Sequence, residues 1–207
     1  MPRLHKPSII AIAVLAVVSM VGGFAYQELK HRTAVKQVDL ATTSFVGALE
    51  TGFVEEASRV LGSRESERNE VLPMLTLLSG QLALDRALNS QFGEGLRDRP
   101  LPVSHADQAE SIVFEDDVAF IGEDANRLVF VRDERGAFRI DRRPFVSPGI
   151  KLEAAQAMRA ELVTLANRVR DGEFDSRDAA LDAYQTAAFR GLLAGIAATS
   201  RPAEVEQ

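Results

Sequence analysis

Residues Ser111 to Asp141 read SIVFEDDVAFIGEDANRLVFVRDERGAFRID, and this stretch decides the fold. Four short runs rich in β-branched and aromatic residues, Ser111–Glu115, Val118–Ile121, Arg127–Asp133 and Ala137–Asp141, alternate with turn chemistry. Glu115-Asp116-Asp117, Gly122–Asn126 and Asp133–Gly136 supply the Gly, Asn and Asp residues that tight turns need. The spacing predicts an antiparallel meander of three or four strands. Phe138 and Ile140 alternate with Arg139 and Asp141, a half-exposed pattern, whereas Leu128-Val129-Phe130-Val131 is apolar on both faces. A strand of the second kind calls for cover on both sides. N-terminal helices would give one cover, and a cavity lining, a partner or the C-terminal segment the other.

Upstream of the sheet the period changes to that of a helix. Val35, Val38, Thr42, Phe45 and Leu49 fall at spacings of three and four, and Thr51-Gly52 ends the run. A short helix holding Phe53, Ala57, Val60 and Leu61 closes at Gly62, and Ser63–Asn69 reads as a polar loop. Asn69 is the expected N-cap of a third helix, with Pro73 in its first turn. Val71, Leu75, Leu78 and Leu82 give its stripe, Leu84, Leu88 and Phe92 widen it, and Gly93 and Gly95 end it. Arg97–Gln108 contains Pro100, Pro102 and His105 without periodicity, a connector long enough to form a lip over a pocket.

At the N-terminus, Ser8–Tyr26 holds no charge: SIIAIAVLAVVSMVGGFAY. Nineteen residues rising ~1.5 Å each come close to the ~30 Å hydrocarbon core of a bilayer. With Arg3 and Lys6 before it and Tyr26 at its far end, the run predicts a transmembrane anchor. A cleaved signal peptide, cut near Gly23 or Ala25, is the rival. The expectation is a single-pass membrane protein held in the membrane by Ser8 to Tyr26, its C-terminal bulk exported to a periplasmic or other extracytoplasmic space. Residues 1–32 carry Arg3, Lys6, Lys30 and Arg32 against Glu28, which is +3. The rest of the chain therefore holds −9 of the net −6, an acidic body.

Downstream of Pro144 and Pro148-Gly149, two further helices follow. Ala155, Met158, Leu162, Leu165 and Val169 form one stripe, and Leu181, Tyr184, Ala188, Leu192 and Ile196 the other. Asp171–Asp175 turns between them, and Ser176 is the N-cap, with Asp178 in the first turn. An antiparallel helical hairpin results. Ala187, Gly191 and Gly195 recur every four residues along the last helix, which suits close packing on the preceding helix or on a second copy. The fold expected is α+β: an N-terminal transmembrane helix, helices packed cone-like on a short antiparallel sheet, and the C-terminal hairpin. Its parts are an anchor with flanks over 1–32, a helix-plus-sheet domain over 33–148, and the hairpin with a polar tail over 149–207.

Two stretches carry a family likeness. Phe45-Val46-Gly47-Ala48-Leu49-Glu50-Thr51-Gly52-Phe53-Val54-Glu55-Glu56-Ala57 resembles the opening helix, turn and second helix of the nuclear transport factor 2-like (ketosteroid-isomerase-like) superfamily. Leu128–Val131 with Gly136-Ala137-Phe138-Arg139-Ile140-Asp141 resembles its last hairpin, with Phe138 where Trp is frequent. The likeness covers residues 34–145 and leaves 150–198 outside it. It implies a cone of helices on a curved sheet, a cavity and frequent dimers. It fixes no function, because enzymes, binding modules and adaptors share the fold.

Composition narrows the chemistry further. The 207 residues contain no Cys and three His, which excludes disulfides, Cys-ligated metals and a thiol nucleophile. The acidic balance excludes a general nucleic-acid binder. No nucleophile elbow, Gly-rich phosphate loop or dinucleotide fingerprint occurs. His105, near Asp107, is the first candidate for a proton-transfer residue, and Asp85, beside Arg86 in the third helix, the second. Glu115, Asp116 and Asp117 are consecutive and lack the spacing of a Ca²⁺ loop, so no metal or cofactor is expected. The function expected is a binding or scaffold domain of the cell envelope without catalysis, with a protein partner or a homodimer. A cavity enzyme (isomerase, dehydratase or hydrolase) acting on a small apolar molecule is one alternative, and an interaction module built on the C-terminal hairpin another. An enzyme would show a deep pocket holding an inward carboxylate or His, and a scaffold a filled interior beside an exposed apolar patch.

Overall fold

The meander forms as its turn residues dictate. In the computed structural model, which describes residues 6–61, 65–96, 112–122 and 127–199, strands β1 (Val113–Glu115), β2 (Val118–Ile121), β3 (Leu128–Arg132) and β4 (Phe138–Ile140) pair antiparallel in sequential order. Asp116, at φ 52°, lets β1 turn back on β2. Between β3 and β4, Asp133 Oδ1 accepts the N–H groups of Arg135 and Ala137, and Gly136 takes φ 78°. The register sets Phe130 opposite both Ala119 and Ile140, and Val131 opposite both Val118 and Arg139. Leu128, Phe130, Ala119, Ile121, Phe138 and Ile140 therefore share one buried face.

Helices α1 (Lys6–Thr51), α2 (Val54–Val60) and α3 (Glu65–Phe92) cover that face. The stripe read from the sequence is the one buried: Val38, Thr42, Phe45 and Leu49 of α1 and Val71, Leu75 and Leu82 of α3 all lie inside. Phe45 also meets Phe145, in the 3-10 turn Arg143–Phe145 after β4, edge to face at 5.3 Å. Gln37 of α1 reaches the outer edge of β4, where its Oε1 accepts the N–H of Phe138 at 3.4 Å. α3 begins earlier than expected, at Glu65, so Asn69 is not its cap and Pro73 sits inside the helix. The polar residues Glu65–Arg68 include good helix formers, and they extend the helix past the apolar stripe.

The expectation of a membrane anchor is corrected. Among the described residues no helix is long and apolar enough to cross a membrane. A single-pass membrane protein held by Ser8 to Tyr26, with an exported bulk, is therefore not what the structure supports. α1 runs unbroken for 46 residues, through the expected end of an anchor at residue 32 and into the core. Between Lys6 and Gly23 only its backbone course is described. From Phe24 onward its side chains include Glu28, Lys30, Arg32, Lys36 and Asp39. Each such charge costs on the order of 2.5–3.5 kcal/mol at the centre of hydrocarbon.

The C-terminal helices, α4 (Leu152–Arg170) and α5 (Arg177–Thr199), form the hairpin, with Ser176 Oγ accepting the N–H of Ala179 as the N-cap. They do not cover the sheet. Leu162, Leu165, Ala166 and Val169 of α4 and Ala180 and Ala187 of α5 pack with Leu84, Ala87 and Leu88 of α3 into a second core, apart from the one under the sheet. On α5 the small residues take the inner position: Ala180, Ala187 and Gly191 are buried, while Leu181, Tyr184 and Ala188 flank them half-buried.

Candidate docking surface

The inner face of the sheet holds no reactive arrangement. Five polar side chains are buried among the described residues, and each is satisfied close by. Thr42 donates to Val38 O, Ser58 to Glu55 O, Thr76 to Leu72 O and Ser79 to Leu49 O. Asp141, one residue past β4, accepts from Arg143 through both Nε and backbone N–H. Burial alone would push its carboxyl up. The bonds from Arg143, with the charges of Arg143 and Arg142, outweigh that and hold it below the usual carboxylate range. This is an anchor for the turn into Arg143–Phe145.

Of the two proton-transfer candidates, Asp85 lies among the described residues and is held in a backbone contact. Asp85 Oδ1 accepts the N–H of Leu96 at 2.6 Å, and Gly95 passes against the same carboxylate with no room for a Cβ. Arg177 donates to Gly95 O through Nε at 3.0 Å and Nη2 at 2.8 Å. Asp85 therefore ties the chain leaving α3 to the start of α5, and its companion Arg86 pairs with Glu50 of α1. His105 lies outside the described residues. Glu115, Asp116 and Asp117 do not converge: Asp117 Oδ1 accepts from Arg132 Nε at 3.0 Å. Among the described residues no group of three carboxylate or imidazole side chains could hold a metal ion.

Among the described residues, the other face of the sheet lies outside both cores. Val118, Phe120, Val129 and Val131 are half-buried there, with Val113 54% exposed at the edge. The pairings Val113↔Phe120, Phe120↔Val129 and Val118↔Val131 make one continuous apolar strip across β1, β2 and β3. The Arg127 guanidinium lies over the Phe120 ring at 4.5 Å and bounds the strip at one end. Arg139, bonded to Asp133 at 2.6 Å, bounds the other. The sequence pointed here through the run Leu128–Val131, apolar on both faces. Of the three covers the sequence left open, the C-terminal segment is not the one, because the hairpin stripe packs on α3.

A second apolar feature sits at the α1–α2 turn. Phe53, at the N-cap of α2, is 64% exposed. It borders a shallow, open groove with Gly52, Val54, Glu55, Glu56 and Arg59. No protein-family model, curated protein or solved structure matches the chain.

Proposed function

We propose that this chain is a non-catalytic binding or scaffold domain that docks a protein partner on the outer face of its sheet. One observation carries the reading. Thr42, Ser58, Thr76, Ser79 and Asp141, the buried polar residues, are hydrogen-bonded within the protein, while the strip Val118, Phe120, Val129 and Val131 is left without a helix over it among the described residues. Residues bonded in this way stabilise the fold. An apolar strip bounded by Arg127 and Arg139 has the make-up of an interface centre and rim. The likeness to the nuclear transport factor 2-like superfamily is part of this proposal, supported by the order of three helices followed by an antiparallel meander.

The test is site-specific photocrosslinking. A benzophenone side chain in place of Phe120 should yield one discrete protein adduct in native extract, and the same group in place of the exposed Leu40 on α1 should not. Val129→Glu with Val131→Glu should abolish the adduct while leaving the circular dichroism unchanged. No adduct from position 120, or an adduct that survives both charges, would sink the proposal.

A second reading rests on α5. Phe189 is 62% and Leu193 50% exposed, one helical turn apart on the outward side of the hairpin. Such a pair is what a helix offers a groove or another helix. If the adduct forms from position 189 instead of 120, the hairpin is the docking element.

A further inference from the structure

The described residues form two apolar cores, and no residue belongs to both. Beneath the sheet, α3 contributes Val71, Leu75 and Leu82, and beneath the hairpin it contributes Leu84, Ala87 and Leu88. The cores change over on α3 between Leu82 and Leu84, and about one turn before that stand Ser79 and Gly80, with Leu162 of the hairpin core packed over the glycine. A side chain of the hairpin crosses this waist. Gly80 brings α4 close: a Cβ there would lie 3.1 Å from Arg159 Cα. From that position Arg159 Nε donates to Ser79 Oγ at 3.3 Å, and Ser79 Oγ donates to Leu49 O at 2.7 Å. The guanidinium ends against Gly52, at the C-terminus of α1, filling the space a Cβ would need. A cation at that end also faces the negative pole of a 46-residue helix.

We infer that Arg159 is a clasp that couples the two cores, so that the sheet and the hairpin open as one cooperative unit. Three elements meet at its side chain, α4, α3 and α1, and the link is a polar one beside the contact of Leu162 with Gly80. A helix continuous through the waist at Ser79-Gly80 couples weakly by itself, because Gly in a helix interior costs on the order of 0.5–1 kcal/mol relative to Ala. Cooperative units of this kind are read from native-state amide exchange. The inference concerns coupling within the fold and stands whether or not the outer sheet face docks a partner.

The experiment compares amide protection in full-length protein for four forms: wild type, Val169→Ala, Arg159→Ala and the double variant. Val169 is fully buried in the hairpin core and distant from the sheet core. In the wild-type background Val169→Ala should lower protection at Phe130 of β3 and at Ala187 of α5 by the same factor, on the order of tenfold or more. In the Arg159→Ala background it should lower protection at Ala187 and leave Phe130 within twofold. The inference is overturned if Val169→Ala spares Phe130 when Arg159 is present. It is equally overturned if Phe130 and Ala187 still fall together when Arg159 is absent. Should Val169→Ala fail to fold, Leu165→Val makes the same comparison with a smaller loss.

Discussion

A Cβ built on Gly191 of α5 would lie 2.6 Å from the Cα of Met158 on α4. The two helix backbones meet there, and hydrogen is the side chain that fits. Gly191→Ala should therefore destabilise by roughly 1–3 kcal/mol, through backbone displacement rather than lost contacts. Thermal melts should show Gly191→Val to be worse than Gly191→Ala. An unchanged melting temperature for both would mean that the hairpin is looser than its geometry.

Gly47 offers the opposite case. It lies inside α1, and a Cβ there meets nothing within 4 Å. Gly47→Ala should stabilise by about 0.5–1 kcal/mol, since the only effect left is the backbone entropy that glycine loses in a helix. Urea unfolding should show the midpoint rise with an unchanged slope.

Phe130 is fully buried at the centre of the sheet, opposite Ala119 and Ile140. Phe130→Ala should cost on the order of 3–5 kcal/mol, much of the stability of an ordinary domain. Val131→Ala, on the outer face of the same strand, should cost far less. Chemical denaturation of the two variants side by side checks the asymmetry.

Asp141 should make stability depend on pH in acid. Its carboxyl binds a proton less readily in the folded state than in the unfolded chain, whose ordinary value is 3.8. The stabilisation is therefore present above about pH 4 and is lost as pH falls through the depressed folded value. Asp133, held down by its bond from Arg139, adds to the same slope. Asp141→Asn should lower the urea midpoint at neutral pH, and the gap to wild type should close toward pH 2. A gap constant from pH 7 to pH 2 would show that Asp141 acts through shape alone.

Much of this architecture is legible in the residues. The alternation in Val113–Ile140 gave the strands, because side-chain period and turn chemistry agree there. The stripes Val38–Leu49 and Leu162–Val169 gave the buried faces of α1 and α4, because each has one core to face. On α5 the close approach is made by Ala187 and Gly191, as their recurrence suggested, with Leu181 and Tyr184 packed beside them. Ala180, Ala187 and Gly191 take the inner side, since α4 comes too near for anything larger. Hydrophobicity ranks side chains by apolar area, whereas a close helix crossing selects for small volume.

The docking surface was legible only in part. The doubly apolar run Leu128–Val131 showed that β3 has a second face to cover. Which element covers it is a matter of how long-range contacts are shared, and one stripe on a helix does not say which neighbour it meets. Asp85 is the converse. A carboxylate interrupting an apolar helix suggests a cavity, but it receives the Leu96 N–H instead, eleven residues away. Arg159 gave no signal at all, because an Arg on a helix flank reads as solvent-facing until the approach at Gly80 is known.

The bond from Phe138 N–H to Gln37 has a consequence for self-association. It occupies one border of the sheet, at β4, and leaves β1, three residues long, as the other. Among the described residues, strand addition is therefore directed to β1. Two copies joined at β1 would each use up that point and present only a blocked border outward. Growth by this route stops at a pair, so the fold carries its own terminator against open-ended polymerisation.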